Sequence, residues 1–272
     1  MAIRAGTPRK AEYGFDAGYL MPLAGVICVA SVVAAALSRS LILMVETSAA
    51  LLAIGLGLHA SRRGKFLVWA ELFDGLHLSG KERILDLGCG RGAVLLAAAR
   101  RLTTGRGFGV DIWSRADQSG NSVGAFLRNA EAENVSARVA PLTASMVALP
   151  FSANTFDLVV SNVAIHNIRG VVDRITAIDE AVRVLRPGGR LVVADLANTR
   201  VYAMRLVELG MAGIGRRSLG WRMWWSGPWR ATYLVTATKP EVGAPPAAPV
   251  TLAPASWTNP DVVPARESGP PR

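Results

Sequence analysis

Two aspartates and three glycines have the types and spacing of a nucleotide site. Asp86 lies in an apolar run that breaks into Gly88, Gly90 and Gly92, and Asp111 ends a second apolar run about twenty residues later. Glycine is needed where a loop turns from strand to helix, because positive φ is common there and a side chain would hold a ligand away from the backbone N–H groups. A carboxylate closing the second strand can accept both hydroxyls of a ribose. The pattern predicts a nucleotide cradle.

The glycine spacing alone leaves two classes of nucleotide open. Gly88-x-Gly90-x-x-Ala93 also satisfies the dinucleotide fingerprint G-x-G-x-x-G/A. Asp86 separates the two classes, because its carboxylate would repel a pyrophosphate and attract the cationic amino-acid end of S-adenosylmethionine (SAM). We therefore favour SAM over NAD or FAD.

The segment from Asp86 to Gly90, with Asp111 after the second strand, resembles the first motif of the class I SAM-dependent methyltransferases, D-x-G-x-G with an acidic residue closing strand two. Within that superfamily, residues 66–238 are most similar to the small-molecule methyltransferases of the quinone-biosynthesis type. The resemblance implies SAM as cofactor and the following cofactor-binding residues: Asp86, Gly88, Cys89, Gly90, Asp111, Ile112, Ser145, Met146 and Asn162.

The resemblance also implies a role for most of these positions. Asp86 and the backbone of Gly88 and Gly90 would hold the methionine end, Asp111 the ribose and Ile112 the adenine. The alternative for the two aspartates is capping of their own loops. Two further positions, Ser145 and Met146, would meet the adenine after strand three. Relatives commonly carry an aspartate where Ser145 stands, and a neutral hydroxyl is a weaker hydrogen-bond partner than a carboxylate.

Asn162 and His166 follow strand four, at the carboxyl edge of the sheet where the methyl donor is expected. Asn162 is interpreted as a carbonyl or amide close to the sulfonium. His166 is the candidate catalytic base, since imidazole titrates near neutral pH. The alternative is a fixed histidine bonded to the backbone. Methyl transfer from a sulfonium needs mainly in-line positioning, so a base is not required by the chemistry. No metal site is expected from three scattered histidines and two cysteines.

Strand and helix patterns alternate through the middle of the chain and predict an α/β fold, a doubly wound, mostly parallel Rossmann-like sheet. Strands are predicted over residues 83–87, 107–111, 137–141, 156–162 and 190–195, with helices over 65–76, 94–102, 123–132, 171–184 and 201–209. A final antiparallel hairpin is predicted from residues 218–224 and 230–238. Trp69 and Phe73 would contact the ligand or pack on the sheet.

Two apolar segments precede this domain. Residues 20–37 carry no charge and residues 41–58 carry only Glu46. Each would rise about 27 Å as a helix, close to the roughly 30 Å hydrocarbon core of a bilayer. They predict two transmembrane helices, with a pair of buried helices as the alternative. Basic residues flank the outer ends, including Arg62, Arg63 and Lys65, so a multi-pass cell-membrane protein with its catalytic domain on the cytoplasmic side is expected.

These observations divide the chain into a cytoplasmic tail (1–18), a transmembrane hairpin (19–60), a methyltransferase domain (61–239) and a disordered Pro/Ala-rich tail (240–272). The net charge of +10 is assigned to the membrane surface and not to nucleic acid, because the arginines are scattered. The predicted partners are the membrane and a small-molecule or lipid acceptor. The alternatives are a SAM-binding regulatory module without turnover and an NAD-dependent oxidoreductase.

Overall fold

The computed structural model describes residues 10–14, 16 and 20–241. The α-helices are α1 (Leu20–Ser38), α2 (Leu41–His59), α3 (Lys65–Leu76), α4 (Ala93–Ala99), α5 (Val123–Ala132), α6 (Val171–Val184) and α7 (Thr199–Glu208). The strands are β1 (Arg83–Leu87), β2 (Arg106–Asp111), β3 (Val139–Thr143), β4 (Phe156–Asn162), β5 (Leu185–Asp195), β6 (Ala212–Ser218) and β7 (Tyr233–Thr238).

The seven strands form one sheet in the order β3-β2-β1-β4-β5-β7-β6. β1 to β5 run parallel, and β7 pairs antiparallel with both β5 and β6. The chain moves outward in one direction from β1 to β3 and then returns to β4 on the other side of β1. This reversal leaves a crevice at the carboxyl ends of β1 and β4, where open α/β sheets bind ligands.

Successive residues of the central strands belong to separate cores on the two faces of the sheet. Ile84 and Val160 pack on the face covered by α3 and α4, whereas Leu85 and Val159 pack on the face covered by α6 and α7. This alternation is the two-residue period of a strand. Burial on both faces explains why these strands are apolar throughout, as is usual in parallel sheets.

The fold class and the element order agree with the sequence analysis, but the C-terminal hairpin is displaced. Its first strand is β6 and ends at Ser218, where the predicted strand was to begin. Residues 219–224 instead form a loop with a short 3₁₀ turn at Trp221–Met223. The antiparallel pairing with β7 is present as expected.

The N-terminal helices differ from the expectation of two membrane spans. Within the described residues, one helix is long and apolar enough to cross a membrane, Leu41–Leu76, and Gly25–Ser38 contributes only a shorter apolar segment. This long helix exists because the residues between α2 and α3 are themselves helical. A π-helical turn, Ala60–Gly64, joins α2 to α3 without a break. By length and composition alone, one candidate span is weak support for a membrane protein.

Lys65 lies in the interior of the fold and not at its surface. Lys65 was expected to be a basic residue at the membrane surface, but its side chain is 2% exposed and pairs with Asp16. Most of the predicted tail over residues 1–18 lies outside the described residues, and so does the predicted disordered tail over residues 240–272 except for residues 240 and 241.

Candidate functional site

A cavity of about 960 Å³ lies in the crevice at the carboxyl edge of the sheet. It gathers residues from the glycine loop, from the loops after β2, β3 and β4, and from the start of the loop after β5. Every sequence-predicted site residue borders it: Asp86, Gly88, Cys89, Gly90, Asp111, Ile112, Ser145, Met146, Asn162 and His166. The volume is within the range of small-molecule sites.

The glycine loop has the backbone conformation that its residues predict. Gly88, Gly90 and Gly92 have φ values of 72°, 50° and 88°, which side chains rarely adopt. The backbone N–H groups of this loop were expected to face a ligand, but two of them donate hydrogen bonds within the protein. The Gly88 N–H donates to the Val110 carbonyl (2.8 Å) and the Gly90 N–H to the Asp111 carboxylate (2.8 Å). These donors hold the loop itself in place.

Gly88→Ala should both destabilise the protein and weaken ligand binding. A Cβ at this position would lie 2.3 Å from the Cβ of Ala164, so the loops after β1 and β4 would have to separate. Together with the positive φ, this should cost about 1 to 3 kcal/mol of unfolding free energy, measured by chemical denaturation. Gly124→Ala in α5 is the matched control, since its nearest atom would be 3.4 Å away on a flexible arginine. Equal stability of the two variants would contradict the loop geometry.

Asp86 is a buried carboxyl group close to the N-terminus of α4. Its side chain is 1% exposed and accepts a hydrogen bond from the Leu95 N–H. Burial, with a smaller contribution from the negative charge of Asp111, raises the pKa of Asp86 from 3.8 to about 8. Such a group is neutral at pH 7 and gains a strong preference for ionisation when a cation is placed beside it.

The carboxylate of Asp111 accepts hydrogen bonds from two loops, as the capping alternative predicts. Its carboxylate accepts hydrogen bonds from the backbone N–H groups of Gly90 and Trp113 (2.6 Å) and from Asn121 Nδ2 (3.2 Å). Burial raises its pKa despite these bonds. A carboxylate has about four acceptor positions, so three bonds leave one. The helix that follows, α5, is capped by Ser122, whose side chain accepts a hydrogen bond from the Ala125 N–H.

Asn121 is a site residue that the sequence analysis missed. It is 3% exposed and borders the cavity. Its Oδ1 atom is buried and has no hydrogen-bond partner within the described residues. Together with the free acceptor position of Asp111, it fits a ligand that brings hydroxyl donors.

The residues predicted to meet the adenine form a mixed apolar and polar part of the cavity wall. Ile112 is 67% exposed, an unusual state for an isoleucine beside a cavity. Ser145 is exposed, and its Oγ accepts a weak bond from the Val147 N–H (3.3 Å). Met146 is half-buried, whereas Cys89 is buried with burial raising the pKa of its thiol. The cysteine is therefore a packing residue and not a nucleophile.

His166 is paired with a carboxylate that no local sequence pattern indicates. Its Nδ1 lies 2.5 Å from Oδ1 of Asp195, the last residue of β5, and its backbone N–H donates to Oδ2 (3.0 Å). Asp195 is fully buried and also accepts from the Leu196 N–H (2.8 Å). An ionised carboxylate only accepts hydrogen bonds, so Nδ1 carries the proton and Nε2 is left as an acceptor.

Asn162 is held by the helix that covers the site. Its Oδ1 accepts a hydrogen bond from Trp69 Nε1 (2.8 Å). Trp69 and Phe73 are each 1% exposed and pack in the core, so this bond is their link to the site, whereas Lys65 at the start of α3 borders the cavity itself. The next residue, Val163, has a φ of 51°, a strained value for a β-branched side chain. The backbone at the end of β4 is thus held in one strained arrangement beside the cavity.

A known family covers the centre of this site. Residues 85–193 match the family described as methyltransferase domain, a range that contains most of the cavity-lining residues. The ubiquinone/menaquinone biosynthesis C-methyltransferase UbiE of Dinoroseobacter shibae is 32% identical over 135 residues, 49% of this chain and 50% of that protein. The methyltransferase GfsG of Streptomyces halstedii is 32% identical over 127 residues, 46% of this chain and 42% of that protein. This chain thus spans about half the length of the curated relatives it matches.

Solved structures show the same fold at lower sequence identity. The [4+2]-cyclase SpnF superposes with a TM-score of 0.51 and 21% identity over 63% of this chain and 82% of that chain. The YcgJ protein from Bacillus subtilis gives a TM-score of 0.50 with 16% identity, over 64% of this chain and 99% of that chain. Together, the family match and the homologues support a class I SAM-dependent methyltransferase domain in this chain, with SAM as its cofactor.

Proposed function

We propose that this protein is a membrane-anchored methyltransferase that transfers a methyl group from SAM to a small lipophilic acceptor. The observation that carries the proposal is the buried carboxyl of Asp86 beside a glycine loop in a cavity that also contains His166. This cavity lies within the family-matched range for the most part.

The cavity residues fit SAM in charge and in hydrogen bonding. An ammonium group requires acceptors, and Asp86 provides one where the loop N–H donors are already used. Asp111 and the unpaired Oδ1 of Asn121 would accept the ribose hydroxyls, and Ile112 with Met146 would cover the adenine. SAM, when bound, supplies an electrophilic methyl group on a positively charged sulfur.

The chain's own residues would prepare the acceptor. His166 Nε2 would take the proton that the acceptor loses, and Asp195 would hold the imidazole in the tautomer that leaves Nε2 free. The cavity is also bordered by Ile168, Leu196 and Trp225. Such apolar and aromatic surfaces suit a lipophilic acceptor.

Membrane attachment is supported by the surface of α1 and α2. Large apolar side chains on both helices are exposed, including Val29 (66%), Leu41 (75%) and Leu52 (66%), and exposed apolar surface of this kind is typical of membrane or protein contact sites. We propose that α1 and α2 insert this apolar surface into the bilayer, with the catalytic domain on the cytoplasmic side. Ala53 and Ile54 of α2 also border the cavity, so a membrane-dissolved acceptor could reach it along that helix.

The first test of this function is transfer of a labelled methyl group. The full-length protein in liposomes, supplied with methyl-labelled SAM and an organic extract of membranes, should place the label in the solvent-extractable fraction. The same protein in detergent without lipid extract should not. Gly88→Ala is the control that should reduce labelling. Calorimetry with SAM, S-adenosylhomocysteine and NAD should show binding of the first two only.

Each alternative function has its own outcome in this test. SAM binding without labelled product would favour the regulatory module. Binding of NAD in place of SAM would favour the oxidoreductase. Label in a water-soluble product would contradict the lipophilic acceptor while leaving methyl transfer intact.

A further inference from the structure

The cavity wall extends beyond the family-matched range to a residue near the N-terminus. Asp16 borders the cavity and forms an isolated antiparallel bridge with Gln118 of the loop after β2. Gln118 Nε2 donates to Asp16 Oδ1 (3.2 Å), and its Oε1 accepts from the Arg91 N–H of the glycine loop (2.9 Å). Asp16 is therefore tied to the loop that forms the cofactor cradle.

The same aspartate is tied to the π-helical turn at the base of α2. Its Oδ2 accepts from Ser61 Oγ (3.0 Å) and from Lys65 Nζ (2.7 Å), and its N–H donates to Ser61 Oγ (3.2 Å). Gly64 in this turn is in contact with the backbone of Arg222, which fixes the turn against the C-terminal loops. Lys65 is thus held in a rigid position.

Lys65 has donors that its protein partners do not use. Its side chain is 2% exposed, and within the described residues the hydrogen bonds of its ammonium group consist of the single bond to Asp16. An ammonium group has three donors, and a buried donor without an acceptor is unfavourable. Lys65 also borders the cavity, where the other basic side chains, Arg169 and Arg230, are exposed at the surface. Among the described residues that line the cavity, Lys65 is the buried basic side chain, and Asp86 and Asp111 are the buried carboxyl groups.

We propose that Lys65 binds the carboxylate of the SAM amino-acid end and that Asp16 positions Lys65 for this contact. The inference rests on the proposed function and extends it. An α-amino acid carries one positive and one negative group, and Asp86 with Lys65 gives the cavity the opposite pair. The cofactor site is then completed from outside the family-matched range, by Asp16 and by Lys65, the first residue of α3.

The test compares SAM with decarboxylated SAM, which lacks only the carboxylate. Both ligands are titrated by calorimetry into the full-length protein in detergent. The wild type should bind SAM at least about ten-fold more tightly than decarboxylated SAM, because a charge-assisted contact is lost. Lys65→Met should bind the two ligands equally, with the affinity for decarboxylated SAM retained. Lys81→Met, at an exposed lysine outside the cavity, is the control and should keep the wild-type preference.

Asp16→Asn gives an independent reading if Lys65→Met folds poorly, as judged by circular dichroism. The preference for SAM should fall in this variant, because the ammonium group loses the partner that fixes its position. A preference that persists in both variants would overturn the proposal, and so would a wild type that binds both ligands equally. A wild type that binds neither ligand would instead contradict the proposed function itself.

Discussion

Replacing Asp86 by asparagine should weaken SAM binding about a hundred-fold or more and at the same time stabilise the ligand-free protein. The loss of affinity follows because a buried cation would lose its charged partner, a change that costs about 3 kcal/mol. The gain in stability follows from the raised pKa of Asp86, about 8, which reflects the unfavourable burial of its ionised form. Opposite effects on binding and on stability are the signature of a functional carboxyl group.

The pH dependence has a defined sign. A carboxyl whose pKa rises on folding adds stability at low pH and loses that contribution as the pH approaches the folded value. For Asp86 the ligand-free unfolding free energy should therefore fall between about pH 4 and pH 8, from its usual 3.8 to the folded value. SAM affinity should change in the other direction and rise by up to about ten-fold per pH unit between pH 6 and 7.5, because the cofactor binds the ionised carboxylate.

Both dependences should disappear in Asp86→Asn, and the unfolding free energy at pH 7 should rise by about 1 to 3 kcal/mol. Calorimetry and urea denaturation across this pH range measure them. Glu131→Gln is the control, because it makes the same carboxyl-to-amide change at an exposed position of α5. An affinity for SAM that is independent of pH in the wild type would argue against Asp86 as the partner of the ammonium group.

The part of the site that local sequence determines could be predicted. Asp86, the glycine loop and Asp111 lie on one strand, turn, helix and strand unit, so their spacing along the chain fixes their positions in space. The same holds for α5 and α6, whose observed bounds match the predicted ranges. The hydrophobic period and the conformational preference of glycine are local properties of the sequence, and they determine where these helices, strands and turns form.

The partners of these residues could not be predicted, because they are distant in sequence. Asp195 lies 29 residues after His166, and Asp16 lies 49 residues before Lys65. A single sequence does not say which buried charges meet. Lys65 was consequently assigned to the membrane surface, where a lysine after an apolar helix is usually found.

The displaced C-terminal hairpin has a related cause. β6 contains Gly213 and Gly215 and two arginines, and therefore lacks the β-branched pattern of a strand. Its pairing with β7 supplies the stability that its own residues do not. The tryptophan-rich segment that looked more like a strand packs instead at the base of α2, where Trp221 stacks on His59 at 4.9 Å between ring centroids. Tertiary contacts therefore determine whether such short segments form strands or loops.

The second large effect is expected from the pair formed by His166 and Asp195. If Nε2 takes a proton from the acceptor, His166→Ala should lower kcat by about 10²- to 10⁴-fold while leaving the affinity for SAM nearly unchanged. The acidic limb of the pH dependence of kcat, measured at saturating SAM so that the protonation of Asp86 does not contribute, should disappear as well. His77→Asn is the control, since His77 is exposed and its left-handed backbone conformation suits asparagine.

The variant Asp195→Asn distinguishes two roles of His166, a catalytic base and a residue that only stabilises the loop. An asparagine amide would donate to Nδ1 in place of accepting from it, so the imidazole proton would move to Nε2 and the nitrogen facing the acceptor would cease to be a base. The variant keeps the size of the side chain and should lose kcat to a similar extent, with SAM affinity retained. A histidine with only a structural role predicts a different result. Loss of the carboxylate that holds the loop after β4 would then lower stability and SAM affinity together, and the remaining activity would keep its acidic limb. Retention of that limb in His166→Ala would remove this residue from the proton transfer, and methyl transfer would then depend on in-line positioning alone.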